Sequence, residues 1–448
     1  MSQANNRQSP GEKVIRKVSW RLIPFMVLLY FVAFLDRVNV GFAALTMNRD
    51  LSFTASIYGT GAGIFFIGYF LFEVPSNIML EKLGARAWIA RIMISWGVVS
   101  TAMVLTQGRL SFFVLRFLLG VAEAGFFPGM IFYLTYWFPS AYRAKIVGVF
   151  LIAIPLSSVI GAPISTALLG VHLFGLKGWQ WLFITEGIPA VMLGFVVISC
   201  LTDRPEKAHW LTAPEREWLT QVLAAERQTR EAVRGYTLRQ ALTNARVWLL
   251  GLVYFGIVIG LYGFSFWLPQ IIKGFGGLSN LQVGFLTIVP NAFAALAMYL
   301  WGRHSDRAGE RVWHVALPAF LGAFGLAASA YFGSEPRLGL VALTLGAIGI
   351  YAALPTFWTL PTAMLSGTAA AGGIALINSL GNLSGYFGPS LIGYIKDLTH
   401  QYRFGLLTLA GFSVLAGVVT LLLGHNRALE RSGDALASSA AAADAQSN

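Results

Sequence analysis

Two acidic and two basic residues lie inside long apolar stretches of this sequence. Asp36 and Arg37 interrupt the run Phe25–Met47, and a second apolar run contains Arg116 and Glu123. Charged groups are costly in hydrocarbon and are kept there mainly where they face a protein interior or a wet cavity. A buried carboxylate can take up and release a proton, and an arginine fork can bind a carboxylate through two parallel hydrogen bonds. This chemistry predicts proton coupling at the two acids and anion binding at the two arginines.

The spacing of the second pair indicates that both charges share one face of a helix. Arg116 and Glu123 are seven residues apart, close to two helical turns and about 10 Å along the axis, and Pro128 predicts a kink just beyond them. The charges of both pairs sum to zero, so protonating either acid leaves a net positive interior that favours an organic anion. We expect these charges to meet in one hollow halfway through the membrane. The alternative is structural: Glu123 forms a permanent salt bridge with Arg116 or Arg37, or Asp36 and Arg37 only fix helix packing.

Uncharged polar groups could complete such a site. Tyr69 offers a hydroxyl, although such a tyrosine is often a core or interface residue. Asn378 and Asn382 are four residues apart and share a helix face, so their amides could orient a hydroxyl or carboxylate, or simply bond across helices. Trp358 could form an apolar wall or an interface anchor. We interpret Glu73 as a gate or packing residue rather than a coupling site.

Twelve long apolar stretches predict the helices that position these residues. Of 448 residues, 56% are hydrophobic and only 12% are charged. A soluble domain carries about 25% charged residues, and a membrane span needs about 20 apolar residues. The predicted spans, numbered 1 to 12, cover residues 20–47, 54–80, 87–106, 109–138, 143–170, 179–201, 244–271, 280–302, 312–333, 338–361, 366–395 and 403–424.

The spans form two groups of six, separated by a polar segment. Apolar residues near Trp210 and Trp218 recur at helical spacing, which predicts a short amphipathic helix in that segment. Most of the 32 Lys and Arg residues lie on the side that carries both termini, which predicts that both termini are cytoplasmic. The predicted units are an N-terminal domain over 1–201, a linker over 202–243, a C-terminal domain over 244–424 and a disordered tail over 425–448.

Short internal repeats support this division. A G-x-R-x-W pattern follows span 2 and recurs after span 8 at an offset of 225 residues. A serine five residues before a proline recurs in spans 5 and 11 at an offset of 226 residues. Repeated six-helix units predict two pseudo-symmetric halves. We expect the two post-helix loops to act as cytoplasmic gate motifs through Gly84, Arg86, Asp306, Arg307, Gly309 and Arg311.

Missing motifs exclude several classes of protein. The sequence contains neither G-x-x-x-x-G-K-[ST] nor H-E-x-x-H, and its six histidines fall in loops or at span ends. Its one cysteine, Cys200, cannot form an intramolecular disulfide. The net charge of +12 comes without a nucleic-acid-binding motif. We therefore expect no catalytic residues, no metal site, no cofactor and no nucleic-acid partner.

Five stretches together carry a family resemblance over nearly the whole chain. They are YFVAFLDRVNVGFA in span 1, GYFLFEVPSNIMLEKLGAR after span 2, RFLLGVAEAGFFPGM in span 4, INSLGNLSGYFGP in span 11 and DRPEKAHWL in the linker. They resemble the major facilitator superfamily and, within it, the anion:cation symporters. The resemblance implies an all-α membrane protein with twelve transmembrane helices in two pseudo-symmetric six-helix bundles. It also implies proton-coupled symport of a small organic carboxylate by alternating access, as in permeases for galactonate, tartrate, phthalate and hydroxyphenylacetate.

The resemblance also implies residue roles. The two buried acids match the protonatable acids of the family, and the two arginines match residues that engage the anion or the acids. Positions that line the central cavity match Tyr69, Trp358 and Asn378. Two features depart from the family pattern: Glu81-Lys82 replaces the Asp-Arg of the general superfamily motif, and Ile154-Pro155 stands where a sugar-acid carrier would have a polar side chain. The second departure favours a smaller or more apolar carboxylate.

Other functions remain open from the sequence. An exporter or anion exchanger could use the same fold, and a receptor or channel would move nothing uphill. A membrane enzyme is a remote alternative because no catalytic set is visible. The expectation that best fits the residues is a monomer in the inner membrane whose partners are a small organic anion, protons and the lipid bilayer.

Overall fold

The computed structural model describes residues 10–232, 243–364 and 368–424, and within these ranges the chain is helical and contains no strand. The predicted disordered tail and part of the linker lie outside the described residues. Nine spans are single helices: span 1, Pro10–Asp50; span 2, Ala55–Leu83; span 3, Ala85–Ala102; span 6, Gly178–Cys200; span 7, Ala245–Lys273; span 8, Asn280–Ala308; span 9, Val312–Tyr331; span 11, Thr368–Thr399; span 12, Arg403–Leu423.

The other three spans are interrupted helices. Pro139 precedes the first helix of span 5, and a single residue, Ile152, separates its two helices. Trp358 separates the two helices of span 10. The segments are Arg109–Glu123 and Phe126–Thr135 in span 4, Ser140–Leu151 and Ala153–Leu168 in span 5, and Pro336–Phe357 and Thr359–Met364 in span 10.

Span 11 differs from the others in its composition. Eleven stretches of the described chain are long and apolar enough to cross a membrane, and span 11 is not among them. It is nevertheless a helix of 32 residues that packs between spans 2 and 7. Its low hydropathy comes from a polar and small-residue sequence that includes Asn378, Asn382 and Ser384. These residues therefore face protein, which is where polar groups at membrane depth are tolerated.

The two six-helix halves touch along spans 1 and 7, 2 and 11, and 5 and 8. At two points along spans 2 and 11 backbone contacts backbone. A Cβ atom on Gly59 would lie 2.3 Å from the carbonyl oxygen of Pro389, and one on Gly393 would lie 2.3 Å from that of Ala55. Any larger residue at either glycine would force the two helices apart, so the small residues set the close approach.

Hydrogen bonds join the halves at the end of the molecule opposite the linker, which we call the far end. There Asp397, in the last turn of the span 11 helix and outside the residues 366–395 predicted to cross the membrane, accepts hydrogen bonds from the backbone N–H groups of Ala55 at 3.0 Å and Ser56 at 2.8 Å. Asn48 also donates to Gln270 at 3.3 Å. Partial burial acts to raise the pKa of Asp397, but the hydrogen bonds from the start of span 2 outweigh it and hold that pKa below its ordinary value. Asp397 is therefore a carboxylate at the N-terminus of a helix, where negative charge is favoured.

At the other end, which we call the linker end, a surface helix covers the start of span 1. This helix, Ala213–Ala232, lies where the apolar spacing predicts an amphipathic helix. Its Glu215 accepts a hydrogen bond from Lys17 at 2.7 Å, and the ring of Trp218 packs against the backbone of Gly11. Leu219 is fully buried. The linker is thus docked on span 1 through one apolar face and one surface ion pair.

Candidate functional site

The centre of the molecule contains an ion pair that joins three spans. The Arg37 side chain donates through Nη2 to Oε1 of Glu123 and through Nη1 to the hydroxyl of Tyr262 at 3.0 Å. Arg37 lies in span 1, Glu123 in span 4 and Tyr262 in span 7, so the guanidinium connects the two halves. Arg37 is 5% exposed and Glu123 is fully buried. Of the two salt bridges considered for Glu123, the structure therefore contains the one with Arg37.

Aromatic rings enclose this guanidinium. Its Cζ atom lies 5.5 Å from the ring centre of Phe34, 5.3 Å from Phe65 and 5.5 Å from Tyr69. Tyr69, which the sequence placed on a cavity wall, is itself buried and contacts Arg37 through its ring face. Cation–π attraction of this kind stabilises a desolvated arginine without neutralising its charge. The surroundings therefore hold Arg37 in place while leaving it able to bind an anion.

The ion pair retains polar atoms that no described residue satisfies. Arg37 Nε and Glu123 Oε2 are both buried and lack a hydrogen-bond partner. Buried polar groups are normally paired, so such exceptions indicate a functional role or an exchangeable partner. Here one free donor and one free acceptor lie on the two partners of a single salt bridge. This arrangement can accept an anion on the arginine and a proton on the carboxylate.

The break in span 4 places Glu123 at a helix end. Glu123 is the last residue of the first helix, Ala124 is extended, and Gly125 has a left-handed backbone with φ of +81°. A Cβ on Gly125 would also lie 2.4 Å from the Ser76 hydroxyl, so only glycine fits this position. The kink predicted at Pro128 occurs three residues earlier, at Gly125. Pro128 itself does not bend the chain, because it lies in the first turn of the second helix, where no N–H donor is needed.

Asp36 points away from Arg37, its neighbour in sequence. It accepts hydrogen bonds from Trp96 Nε1 at 2.6 Å, from Asn39 Nδ2 at 3.0 Å and from the Ser100 hydroxyl. Successive residues on a helix are turned by about 100°, which separates the two side chains. Asp36 is fully buried inside the N-terminal half, and these three partners are neutral. The structure therefore shows no Asp36–Arg37 ion pair.

Arg116 is also buried, and no acidic side chain among the described residues forms a hydrogen bond with it. Its Nε donates to the carbonyl of Gly61 at 3.3 Å, and its Nη2 donates to that of Ala62 at 2.9 Å. Both carbonyls belong to span 2. The expectation that all four charges meet in one hollow is therefore wrong for this conformation, because Arg37 pairs with Glu123 while Asp36 and Arg116 have separate partners. The alternative Arg116–Glu123 bridge is absent, because the guanidinium lies against span 2.

The two asparagines of span 11 bind a carboxylate that belongs to the protein. Asn378 Nδ2 donates to Glu73 Oε1 at 2.7 Å, and Asn382 Nδ2 lies 3.4 Å from Glu73 Oε2. Glu73 is 6% exposed and comes from span 2, in the other half of the molecule. Trp358 is half-buried in the neighbouring part of span 10, with its ring centre 4.8 Å from that of Tyr254 in an edge contact. The asparagines thus do bind a carboxylate, but in this structure it is supplied by Glu73.

A further buried acid was missed by the sequence reasoning. Glu186 of span 6 is 3% exposed and accepts a hydrogen bond from Ser165 at 2.5 Å. It lies in the run WLFITEGIPAV, so the rule that singled out Asp36 would also have found it. With Glu73 and Glu186 included, the buried side chains of the described spans comprise four carboxylates and two guanidiniums. The two pairs singled out from the sequence still sum to zero, but the fully ionised interior would be negative.

The first predicted gate loop is tied to the linker. Gly84, between spans 2 and 3, has φ of +90°, which favours glycine. The backbone N–H of Arg86 donates to Asp203 Oδ1 at 2.9 Å, and a Cβ on Gly84 would lie 3.1 Å from the same oxygen. Trp88 donates to Ser76 at 3.0 Å. Asp203, which the sequence analysis did not single out, thus holds this loop.

The second gate loop also has a glycine with positive φ, but its backbone conformation and its contacts differ. Gly309 caps span 8 with φ of +61°, and Arg311 donates to Asp306 at 2.7 Å and to Ser305 at 2.9 Å. Arg307 is exposed. The sequence repeat thus places a glycine with positive φ at the end of both spans, with ψ of 146° at Gly84 and 20° at Gly309. The gating role of these six residues stays a prediction.

The family follows from comparison with known proteins. Residues 26–389 match the family model described as Major Facilitator Superfamily. The chain belongs to the Major Facilitator Superfamily. Its fold is therefore the all-α membrane fold of this superfamily, as the motifs in spans 1, 2, 4 and 11 predict.

Two relatives and one solved structure illustrate the similarity of this superfamily member to others. A protein of Agrobacterium vitis named "Putative tartrate transporter" is 54% identical over 415 residues, which cover 92% of each chain. A quinolone resistance transporter of Acinetobacter baumannii is 43% identical over 411 residues, 92% of this chain and 94% of that protein. The inward-facing, unoccupied crystal structure of a bacterial homologue of the human lysosomal transporter Spinster has a TM-score of 0.72 at 15% identity, and the match covers 95% of this chain and 99% of that one. At that identity the structural likeness shows the fold alone.

These findings decide the broad class of the protein. It is a multi-pass membrane transporter of the Major Facilitator Superfamily that acts on a small molecule, and it is not an enzyme. The membrane-enzyme alternative is thereby excluded.

Proposed function

We propose that this transporter is a proton-coupled symporter of a small organic carboxylate that works by alternating access. It is driven by the proton gradient without a cofactor, and it works as a monomer in the inner membrane. The Lys and Arg distribution supports a cytoplasmic location for the linker end and both termini. The observation that carries the proposal is the Arg37–Glu123 pair, with its free donor and free acceptor, bound to Tyr262 of the other half.

The pair suggests how a proton and an anion help each other to bind. A proton on Glu123 removes the negative charge that holds Arg37, and the guanidinium can then bind a carboxylate with its planar fork. An anion on Arg37 in turn weakens the attraction that keeps Glu123 ionised. Each ligand therefore raises the affinity for the other, and such coupling is reciprocal by thermodynamic necessity.

The remaining buried acids strengthen the same argument. The hydrogen-bond donors to Asp36, Glu73 and Glu186 come from neutral side chains. An ionised carboxylate without a charged partner is costly at membrane depth, and a net negative interior repels an anion. Protonation of Asp36 would reduce both penalties before an anion enters, which supports its assignment as the second coupling acid.

The substrate class follows from the site and from the relatives. Arginine binds carboxylates in a bidentate manner, and a relative with 54% identity carries a name that specifies tartrate. Ile154 and Pro155 are buried in span 5 and offer no polar side chain for a long polyhydroxylated substrate. We therefore favour a short hydroxylated carboxylate such as tartrate.

Uptake into proteoliposomes tests the coupling acids. With an inward proton gradient, Asp36→Asn and Glu123→Gln should abolish accumulation of labelled tartrate, because neither side chain can release a proton. Exchange of internal for external tartrate should persist, since it needs no net proton movement. Glu217→Gln, at an exposed position on the surface helix, is the matched control and should accumulate tartrate normally. If both buried variants accumulate tartrate like the control, the coupling assignment is wrong.

An exporter is the second candidate because one relative is named a quinolone resistance transporter. The direction of coupling distinguishes the two functions. A symporter accumulates its substrate when the outside is acidic, whereas a proton antiporter expels it from the same vesicles. Proton-driven depletion of a quinolone, together with no response to tartrate, would favour the exporter.

A further inference from the structure

The contact between Glu73 and the two asparagines differs from the other hydrogen bonds between the halves. The described bonds between spans 1 or 2 and spans 7 or 11 lie toward the far end, apart from the central Arg37–Tyr262 bond and this contact. Glu73 lies 18 residues beyond Ala55, which is about 27 Å along span 2 toward the linker end. We call this contact the tie. It lies on the opposite side of the centre from the hydrogen bonds of Asp397 with Ala55 and Ser56, which we call the far-end seal.

The geometry of the tie is that of a carboxylate-binding site. Asn378 and Asn382 are one helical turn apart, and each directs its amide nitrogen to a different oxygen of Glu73. Two N–H donors spaced to meet two carboxylate oxygens can bind any carboxylate of suitable reach. Their amide nitrogens carry no charge, so the bound carboxylate is exchangeable at a lower cost than one in a salt bridge with arginine.

Arg37 lies beside the part of span 2 that carries the same carboxylate. Tyr69, one turn before Glu73, contacts the guanidinium of Arg37 through its ring. Arg37 and the amide pair therefore flank a common region, one from each half of the protein. A ligand that engaged both would need two carboxylates, one for the guanidinium and one for the amides.

We propose that Glu73 is an internal competitor that occupies the Asn378–Asn382 pair, and that the second carboxylate of a dicarboxylate substrate displaces it. The inference rests on the proposed function, since it assumes a carboxylate cargo. When the substrate displaces Glu73, one carboxylate replaces another at the amides. The hydrogen bonds that join span 2 to span 11 at Glu73 are then lost. Glu73 thereby lowers the affinity for a dicarboxylate but restricts release of the tie to dicarboxylates, because a monocarboxylate bound at Arg37 leaves the tie intact.

Binding of two related acids to the purified full-length protein in nanodiscs tests the competition. Tartrate carries two carboxylates and glycerate carries one. Glu73→Gln should lower the Kd for tartrate about tenfold, the factor expected if Glu73 occupies the amides about nine-tenths of the time. The same variant should leave the Kd for glycerate unchanged. Asn378→Leu should raise the Kd for tartrate and spare glycerate.

Glu186→Gln is the matched control because it removes another buried carboxylate of the same half, bound by Ser165 rather than by the amides. This control distinguishes competition at the amides from a general effect of removing a buried negative charge. Equal gains for tartrate in both variants, or equal gains for tartrate and glycerate in Glu73→Gln, would overturn the proposal. So would an unchanged tartrate Kd in Glu73→Gln, and in that case the proposed function would still stand.

A distance measurement tests the tie without any substrate. In a Cys200→Ser background, spin labels at Leu83 and Trp248 report on the linker ends of spans 2 and 7, where both side chains are exposed. Glu73→Gln should shift the distance distribution toward longer values, and Glu186→Gln should not. If the wild-type protein binds neither acid, the carboxylate function fails and the competition fails with it. An unchanged distance distribution in Glu73→Gln would overturn the tie itself.

Discussion

The two halves of this transporter share a fold but divide the chemistry unequally. Within the described residues, every buried Asp, Glu, Lys or Arg lies in spans 1 to 6, and none lies in spans 7 to 12. The C-terminal half instead offers neutral hydrogen-bonding groups, among them Tyr262, Asn378 and Asn382, to charged partners in the other half. Among the described residues of this half, the one buried side chain of a basic type is His314, which bonds to Glu310 near the linker end.

This difference indicates what each half does. A charged interior can change its protonation state, whereas amides and hydroxyls keep their character as pH changes over the physiological range. The N-terminal half is therefore suited to binding and releasing protons, and the C-terminal half is suited to detecting whether a carboxylate is bound. Pseudo-symmetry of the backbone does not extend to the site.

The largest effect is expected from removing the positive charge at the centre. Arg37→Gln leaves Glu123 buried without its cation, a loss that costs roughly 3–5 kcal/mol in buried pairs. We expect initial uptake of labelled tartrate in proteoliposomes to fall by at least about a hundredfold, which is the lower end of that range. Arg37→Lys keeps the charge but loses the planar fork, so it should retain part of the activity. Wild-type uptake by Arg37→Gln would show that the charged half does not bind the anion.

An intermediate effect is expected from the neutral half. Tyr262→Phe removes the hydroxyl that accepts from Arg37 and leaves one buried donor unpaired. Hydrogen bonds to charged groups contribute roughly 1.5–3 kcal/mol, so we expect kcat/KM for tartrate to fall by at least about tenfold. Tyr351→Phe is the matched control, because the Tyr351 hydroxyl bonds to Ser265 within the C-terminal half at 3.2 Å. Equal losses of kcat/KM in the two variants would contradict a special role for the Arg37–Tyr262 bond between the halves.

The smallest effect is expected at the far-end seal. Asp397→Asn keeps an acceptor oxygen but loses the negative charge at the start of span 2. Hydrogen exchange measured by mass spectrometry should show about two- to fivefold faster exchange in the peptide that contains Ala55 and Ser56. Asp203→Asn, which alters the equivalent contact of Arg86 at the linker end, should leave that peptide unchanged.

The seal also has a predictable pH dependence. The pKa of Asp397 in the folded protein lies below its ordinary value of 3.8. Its contribution to stability is therefore fully present above that ordinary value and is lost as the pH falls through the lower, folded pKa. Exchange at Ala55 and Ser56 in the wild-type protein should thus approach that of Asp397→Asn only under strongly acidic conditions. A loss of protection near neutral pH would contradict the assignment.

Much of this architecture could be predicted from the sequence, because apolar length and charge placement are local signals. The spans, the surface helix near Trp218 and the paired glycine junctions at Gly84 and Gly309 all lie where the pattern indicates. The kink predicted at Pro128 is wrong by three residues, because the residue with the left-handed backbone is Gly125. Proline is harmless in a first turn, and sequence alone does not reveal where that turn begins.

The site was less predictable because its partners are far apart in the chain. Arg37 and Glu123 were recognised by type, but which arginine pairs with Glu123 depends on how spans 1, 2 and 4 are rotated. Glu73 was interpreted as a gate or packing residue, and nothing local shows that span 11 would bring its asparagines to it. Contacts between residues separated by about 300 positions require the packing of the two halves, which local periodicity does not encode.

The glycine contacts between spans 2 and 11 have a mechanical consequence. At Gly59 and Gly393 the main chain of one helix lies directly against the main chain of the other. Parting these surfaces requires no rotamer change, so at these points separation involves only the loss of short-range attraction. A contact of this kind excludes solvent while the two helices are together, and it can separate and form again in the same register.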